Sequence, residues 1–370
     1  MTDMAPDELN SHLHAKTEKP LILDIRHADD FEDWHIPGSE NVDVYDELKN
    51  DPGEAAAQLR TLPQDREIVT VCAVGKMSAV ATETLRNEGY EAKTLRDGMS
   101  GWSRVHRTAR IDTDLDGKLF QVARPGTGCL SYVLISAGEA AVFDPSIHLG
   151  EYEVLIEDND ADLVGVFDTH AHADHVSGGQ QLADRYDVPY YLHPADATDL
   201  EVGPLADGQR LRVGEVEIEV IHTPGHSPGS VSFGLQDEVL FTGDTLLHES
   251  VGRVELGVEA GLEDVAVEEN AAALYDGLQR LQAYGGDPLV LPTHDPGSPD
   301  PPVSARLSEV EERNAGLDRA RETFVESLAS DIPEHPPNFQ RIKRVNVGVE
   351  TPPKDELEDL EQGPNNCAAE

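Results

Sequence analysis

Residues 170 to 175 form the stretch His170-Ala171-His172-Ala173-Asp174-His175. Four side chains that can bind a metal lie within these six residues, which follow the strand-like run Val164–Asp168 after one residue, Thr169. Packed together without a cation, they would bury polar groups that nothing compensates. Imidazole and carboxylate are also the ligands that suit zinc and non-haem iron. The stretch therefore predicts a metal site at the end of a strand.

Three later loops supply further candidate ligands, each after an apolar run that is typical of a strand. These ligands are His226 within Thr223–Ser230, Asp244 within Phe241–Thr245 and His294 within Leu291–Asp295. The glycines beside the first two let the backbone turn sharply and approach a metal closely. Layered α/β proteins build sites where the loops at strand ends converge, so we expect one centre from all four loops.

The pattern of elements divides the chain. The apolar runs Leu21–Asp24 and Ile68–Val71 predict buried strands, and Ser78–Glu88 has helical spacing, which together indicate an α/β domain with a parallel sheet. A polar break without a long periodic element spans Arg104–Asp116. The elements predicted beyond it are the strands Ser131–Ser136, Ala140–Phe143, Val164–Asp168, Val216–His222, Val239–Phe241 and Leu289–Leu291, and the helix Ala271–Ala283. The Pro- and Glu-rich tail from Val349 onward is expected to be irregular.

The composition limits the classes of partner. The 370 residues include 72 acidic and 28 basic side chains, for a net charge of -44, while 38% are hydrophobic. This length predicts two packed domains. The charge excludes nucleic acid as a partner and disfavours an anionic membrane. Acid spread along the whole chain is typical of proteins from salt-loving organisms; an acidic protein from an ordinary habitat is the alternative.

The cysteines Cys72, Cys129 and Cys367 are odd in number and far apart, which argues against a disulfide framework. No apolar run approaches the roughly 20 residues that span a bilayer, and the N-terminal residues lack the pattern of a signal peptide. We therefore expect a cytoplasmic protein, and the sequence leaves homo-oligomerisation open. Cys129 is expected to be a small core residue.

Cys72 stands at a position where an anion is favoured. It opens the loop Cys72–Ser78, between the predicted strand Ile68–Val71 and a helix. Backbone N–H groups and the helix N-terminus stabilise a thiolate or a persulfide anion there, and Lys76 adds a positive charge. The alternative is a buried, inert cysteine at a strand end.

Flanking motifs bear on that choice. They are Asp24-Ile25-Arg26, Phe31 with Trp34–Val42, and Leu95–Trp102. With the Cys72 loop, this ordered set resembles the rhodanese (sulfurtransferase) family over residues 6 to 105. We assign residues 1–108 to a rhodanese-like domain. The resemblance implies that Cys72 carries sulfane sulfur as a persulfide and that the other loop residues bind the anionic substrate.

The four ligand loops, in their order, resemble the metallo-β-lactamase fold superfamily from about Asp112 to the end of the chain. This implies an αββα sandwich over residues 112–370. By the resemblance, the first metal position would use His170, His172 and His226. The second would use Asp174, His175 and His294, and Asp244 would bridge the two.

Two segments point to one branch of this superfamily. Gly252-Arg253-Val254-Glu255-Leu256 is similar to a segment of the persulfide dioxygenases, relatives of glyoxalase II, although Val254 stands where they usually carry Thr. Ser308–Leu317 looks like their C-terminal segment, and a rhodanese domain also handles sulfane sulfur. The resemblance implies Fe(II) on His170, His226 and Asp244, with open positions for a thiol persulfide and dioxygen. The remaining four residues would not bind the iron but would orient its ligands, and they are His172, Asp174, His175 and His294.

Within this branch, Arg253 is a candidate for holding the carboxylate of the thiol carrier. The alternative is that Arg253 forms a salt bridge with only a structural role. Cys367 is similar to a cysteine near the C-terminus of these dioxygenases.

Two other functions stay open. Because every ligand of the second position is present, a dinuclear zinc hydrolase of thioesters, similar to glyoxalase II, is one alternative. The other is a non-catalytic sulfur-relay module in which Cys72 passes sulfur to partners and the metal is structural. A closed structural metal site needs only four ligands, and this chain offers seven, which argues against a purely structural metal.

Overall fold

The computed structural model describes residues 3–16, 19–295, 301–330, 332, 335–361, 363 and 368–369. Cys367 therefore lies outside the described residues. The chain forms two compact units, one of Met1–His106 with Arg124–Thr127, the other of Arg107–Ala123 with Gly128–Glu370.

The first unit is built on a five-stranded sheet. Its strands are β1 (Asp3–Met4), β2 (Leu21–Asp24), β3 (Glu40–Asn41), β4 (Ile68–Val71) and β5 (Ala92–Leu95). Its helices are α1 (Pro6–His14), α2 (Ala28–Asp33), α3 (Tyr45–Asn50), α4 (Pro52–Leu59), α5 (Lys76–Asn87) and α6 (Gly98–Trp102). The strands pair in the order β1-β5-β4-β2-β3, and each pairing is parallel. Strands β2 and β4 are buried along their whole length, as apolar runs in parallel sheets require, so the predicted parallel-sheet domain is confirmed.

The second unit holds the remaining elements. Its strands are β6 (Arg107–Ile111), β7 (Lys118–Arg124), β8 (Cys129–Ser136), β9 (Glu139–Phe143), β10 (Asp162–Phe167), β11 (Tyr190–Leu192), β12 (Gly203–Pro204), β13 (Arg210–Val213), β14 (Val216–His222), β15 (Val231–Leu235), β16 (Val239–Gly243), β17 (Val251–Gly252), β18 (Leu289–Pro292), β19 (Ala305–Arg306) and β20 (Ala368–Ala369). Its helices are α7 (Gly150–Asp158), α8 (Gly179–Tyr186), α9 (Leu256–Glu259), α10 (Val267–Gln282), α11 (Leu307–Arg313), α12 (Arg321–Ser330), α13 (Phe339–Asn346) and α14 (Lys354–Leu360), with a 3-10 turn at Pro194–Asp196.

These elements form four layers. A seven-stranded sheet, β12-β11-β10-β9-β8-β7-β6, faces a six-stranded sheet, β13-β14-β15-β16-β18-β19, across a core of apolar side chains from both. Phe143 and Phe241 meet in this core with ring centroids 4.6 Å apart. Helices α7 and α8 cover the outer face of the first sheet, and α10, α11 and α12 cover that of the second. The αββα sandwich is confirmed.

Two predictions about the connecting segments need correction. The polar break predicted at Arg104–Asp116 contains β6, a strand at the sheet edge whose alternate residues are exposed. The tail from Val349 onward is not irregular throughout, because Lys354–Leu360 forms α14. Two leucines of α14 pack into a buried cluster with Val176 and Ile342, and this burial stabilises a helix that its acidic sequence alone does not predict.

None of the described helices combines the length and apolarity needed to cross a bilayer. The longest of them, α10, has 16 residues.

Candidate metal centre

The predicted ligands follow four strands of the second unit. The cluster at 170–175 comes after β10, and the other three positions follow β14, β16 and β18. All seven predicted ligands are buried, namely His170, His172, Asp174, His175, His226, Asp244 and His294. The structure places them in three neighbouring groups of potential donors.

Two glycines let these loops come together. Gly225 has φ +135°, and a Cβ there would lie 2.5 Å from the backbone nitrogen of Leu274. Gly243 has φ +53°, and its Cβ would lie 2.8 Å from Oγ1 of Thr169. Both positions require glycine on conformational and steric grounds, and each lies directly before a predicted ligand.

The first group consists of His170, His226 and Asp244. The Nε2 atoms of His170 and His226 lie 3.7 Å and 3.6 Å from Oδ2 of Asp244. The histidine rings stand edge to face, with centroids 4.7 Å apart. Two imidazoles and one carboxylate thus converge from three different loops, which is the donor set of a 2-His-1-carboxylate site.

Buried nitrogen and oxygen atoms without a hydrogen-bond partner show that this group fits a cation. His170 Nε2, His172 Nδ1, His226 Nε2 and Asp244 Oδ2 are all buried and have no hydrogen-bond partner in the structure. Buried polar atoms are rarely left unpaired, because each costs free energy. The nitrogens of His170 and His226 lie within 3.7 Å of the Asp244 oxygen, and a metal ion bound to these three atoms accounts for them.

The opposite nitrogen of each imidazole is held by the protein. Nδ1 of His170 lies 2.9 Å from Oγ1 of Thr169, and Nε2 of His172 lies 3.1 Å from Oδ1 of Asp144. Nδ1 of His226 donates to the backbone oxygen of Arg253 at 2.8 Å. These contacts fix the ring orientations and leave one nitrogen of each ring directed at the metal position.

Burial keeps these three imidazoles neutral. It lowers the pKa of His172 to about 3, and it lowers the pKa of His170 and of His226 below the ordinary histidine value. Burial also raises the pKa of Asp144 to about 7 and that of Asp168 to about 6. Neutral imidazoles are the form that binds metals.

The second group contains Asp174, His175 and His294. Oδ2 of Asp174 lies 2.7 Å from Nε2 of His294 and 3.1 Å from Nδ1 of His175. Nδ1 of His294 also contacts Oδ1 of Asp244 at 2.5 Å. Unlike the first group, these side chains are hydrogen-bonded to one another.

The charges of the second group follow from these contacts. Burial by itself would lower the pKa of His175 and His294, but Asp174 together with Cys129 at His175, and with Asp244 at His294, raises both well above the ordinary value. Burial would likewise raise the pKa of Asp174, and the two histidines hold it well below its usual range. In the metal-free protein the group is therefore an internal ion-pair cluster.

Four nearby residues were not predicted as parts of the site. Asp144 follows β9 and Asp168 follows β10, so a carboxylate after a predicted strand was an available signal for both. Asp196 has no local signal; its carboxylate accepts hydrogen bonds from Ala171 N at 2.8 Å, Ser227 Oγ at 2.6 Å and Gly229 N at 2.8 Å. It joins the loop of residues 170–175 to the loop of His226.

Cys129 is the fourth of these residues. It is buried, as expected of a core residue, but its Sγ lies 3.2 Å from Oδ2 of Asp174 instead of among apolar side chains. Its burial confirms the expectation of a small core residue, and the contact with Asp174 is an addition that the sequence did not predict. Its thiol lies in the second donor group, with Asp174, His175 and His294.

Arg253 is fully buried beside this centre. Its guanidinium pairs with the carboxylate of Glu255, with Nε 2.7 Å from Oε1. Its backbone oxygen accepts the hydrogen bond from His226 described above. The contacts match the salt-bridge alternative, and a role in holding substrate stays a prediction.

Cys72 lies in the first unit, directly after β4 and buried. Its Sγ accepts a hydrogen bond from Ser78 N at 3.3 Å and lies 3.4 Å from Ser78 Oγ. Its backbone oxygen accepts from Met99 N at 2.9 Å. Lys76 is the first residue of α5 and is exposed. The predicted position of Cys72 between a strand and a helix is present, and its reactivity stays a prediction.

Comparisons with known proteins agree with both units. Residues 5–105 match the family model of the rhodanese-like domain, and residues 124–300 match that of the metallo-beta-lactamase superfamily. The hydroxyacylglutathione hydrolase of Xanthomonas euvesicatoria is 30% identical over 236 residues, which span 60% of this chain and 85% of that protein. The chain belongs to the metallo-β-lactamase superfamily. It is an enzyme of this superfamily that also carries a rhodanese domain.

Other proteins are similar to this chain to a comparable degree. The probable metallo-hydrolase YqgX of Bacillus subtilis is 31% identical over 34% of this chain and 70% of its own length. The crystal structure of ETHE1 from Myxococcus xanthus superposes with a TM-score of 0.53 at 26% identity, covering 61% of this chain and 97% of that one. A metallo-beta-lactamase from Staphylococcus aureus has a TM-score of 0.60 at 23% identity, over 64% and 74% of the two chains, and this likeness concerns the fold.

Proposed function

We propose that this enzyme oxidises a low-molecular-weight thiol persulfide to sulfite at one iron held by His170, His226 and Asp244. The observation that carries the proposal is the difference between the two donor groups. The first group directs unpaired atoms of three residues at one point and leaves other coordination positions open, whereas the donors of the second group close on one another. A single 2-His-1-carboxylate centre with open positions is the arrangement used by iron oxygenases.

The reaction balances as persulfide plus dioxygen plus water giving thiol, sulfite and two protons. The outer sulfur loses four electrons, dioxygen gains them, and the sulfur–sulfur bond breaks. Bound iron would supply the redox chemistry that brings persulfide and dioxygen together. The chain's own groups hold the ligands: Thr169 and the backbone oxygen of Arg253 orient the rings of His170 and His226.

Cys72 gives the rhodanese domain a complementary chemistry. A persulfide on Cys72 can pass its outer sulfur to sulfite, which gives thiosulfate and restores the thiol. The N–H of Ser78 donates to the sulfur and would stabilise its anionic form. Sulfane sulfur is then the substrate that the two domains share, which supports the persulfide over other substrates.

Metal content and oxygen uptake of the full chain test the proposal. One iron per chain and oxygen uptake on adding glutathione persulfide are the expected results, and His226→Ala should abolish both. His222→Ala is the matched control, because His222 lies in the same region, stacks on His193 and belongs to none of the donor groups among the described residues. Full uptake in a chain without iron would contradict the proposal. Cys72→Ser should keep the uptake and lose thiosulfate formation.

A thioester hydrolase is the second candidate. The unpaired Nδ1 of His172 is one donor more than a 2-His-1-carboxylate centre needs, and the relative from Xanthomonas is a hydroxyacylglutathione hydrolase. Two zinc ions, rapid hydrolysis of a hydroxyacyl thioester of glutathione and no oxygen uptake would favour this function over the first.

A further inference from the structure

We propose that Cys129 is a metal ligand and that it completes a closed, four-donor zinc site. The donors of this site are Cys129 Sγ, a carboxylate oxygen of Asp174, and one ring nitrogen each of His175 and His294, and these atoms lie within 4.8 Å of one another. The inference holds for either reaction proposed above, because it concerns a second cation and not the open first group.

The backbone fixes Cys129 in this place. Cys129 begins β8 and forms an antiparallel bridge with His294. Hydrogen bonds from Leu130 N to Thr293 O at 2.8 Å and from Asp295 N to Gly128 O at 3.0 Å flank that bridge. The thiol therefore reaches the ligand group from a strand, with little freedom to turn away.

The surroundings of the thiol are those of a ligand. Cys129 is 4% exposed, and the described apolar clusters of the second unit do not include it. Its Sγ lies 3.2 Å from Oδ2 of Asp174. In a tetrahedral zinc site with bonds of about 2.0–2.3 Å, neighbouring donors lie roughly 3.3–3.7 Å apart. The separations from Asp174 Oδ2 to the other three donors are 2.7 to 3.2 Å, and these three would widen by about half an ångström to admit the ion.

The donor set selects the metal. A soft thiolate with imidazole favours zinc over the hard cations that prefer oxygen, and four protein donors match a closed zinc site. Binding involves no electron transfer: the thiol and the two protonated imidazoles release their protons to solvent, and the sulfur and the ring nitrogens bond to the metal in their place. Since all four positions are filled by protein, this ion has no open position and stabilises the junction of β8, the 170–175 loop and the loop after β18.

Cobalt(II) reports thiolate ligation without any enzyme assay. The full chain is stripped with a chelator and titrated with Co2+ in the absence of oxygen, and the near-ultraviolet band of thiolate-to-cobalt charge transfer is recorded. We expect the band in the wild type and its loss in Cys129→Ser. Cys72→Ser is the matched control, since Cys72 is also buried and should leave the band unchanged. Zinc added afterwards should abolish the band.

A second variant keeps the test decisive if Cys129→Ser does not fold. The sequence has three cysteines, so the double variant Cys72→Ser with Cys367→Ser leaves Cys129 as the single thiol. It should retain the band, and zinc should protect Cys129 from alkylation under partial denaturation, as measured by mass spectrometry. In a folded Cys129→Ser, zinc affinity should fall by more than the roughly 10–100-fold that loss of an outer-sphere partner costs. A double variant that binds cobalt without the band, or binds none, overturns the proposal.

Discussion

Asp196 offers a sharp test of how the metal centre is held together. Its carboxylate is 3% exposed and joins two ligand loops through the bonds to Ala171, Ser227 and Gly229. In Asp196→Asn, an amide NH2 replaces one oxygen, so at least one of these donors faces another donor. The substitution keeps the size of the side chain and therefore isolates the hydrogen bonds.

The expected magnitude follows from these contacts. A hydrogen bond to a charged group contributes about 1.5–3 kcal/mol, and a buried donor left unpaired costs about 1–3 kcal/mol. Because these terms overlap, we expect the free energy of unfolding of the second unit to fall by roughly 2–4 kcal/mol. Metal affinity at the first group should fall by about 10–100-fold, since the loop that carries His170 is loosened.

Urea unfolding of the metal-free chain measures the first quantity. Trp34 and Trp102 both lie in the first unit, so tryptophan fluorescence follows that unit and circular dichroism follows both. The dichroism transition should shift while the fluorescence transition stays in place. Asp199→Asn, an exposed position in the same loop, is the control and should change neither. An Asp196→Asn chain within about 0.5 kcal/mol of the wild type and with unchanged metal affinity would refute the reasoning.

Three further predictions concern separate features. Thr169→Val removes the hydroxyl that contacts His170 and Asp144, and iron affinity should fall by about 10–100-fold by equilibrium dialysis, whereas the exposed Thr198→Val should leave it unchanged. Burial raises the pKa of Glu263, so the folded chain holds this proton more tightly than the unfolded chain and loses stability as the pH rises through that pKa. Glu263→Gln should therefore raise the melting temperature more at about pH 8 than at about pH 5, and an equal change at both pH values would contradict this assignment. If the net charge of -44 is an adaptation to salt, the melting temperature should rise steeply between about 0.1 M and about 3 M KCl, and a flat dependence would remove that interpretation.

Much of the fold followed from local patterns. The strands Leu21–Asp24, Ile68–Val71 and Val216–His222 were predicted with the bounds that the structure shows, because each is a short β-branched or apolar run with clear flanks. The edge strand β6 and the helix α14 were missed. Both have polar or acidic sequences, and tertiary packing, not propensity, decides their structure.

The sequence by itself determined which donors exist and in what order. His170 to His175, His226, Asp244 and His294 are specified by residue type and by their places after strands, and these are local properties.

Only the tertiary structure decided how those donors are used. Which nitrogen of each imidazole is free depends on partners from distant segments, such as Asp144 for His172 and the backbone of Arg253 for His226. The placement of Cys129 depends on its bridge to His294, which lies 165 positions later in the sequence. Such contacts arise from strand pairing between remote segments, and no local pattern of residues encodes that pairing. The metal-ligating stretch that predicts the site therefore cannot show by itself that a thiol lies beside it.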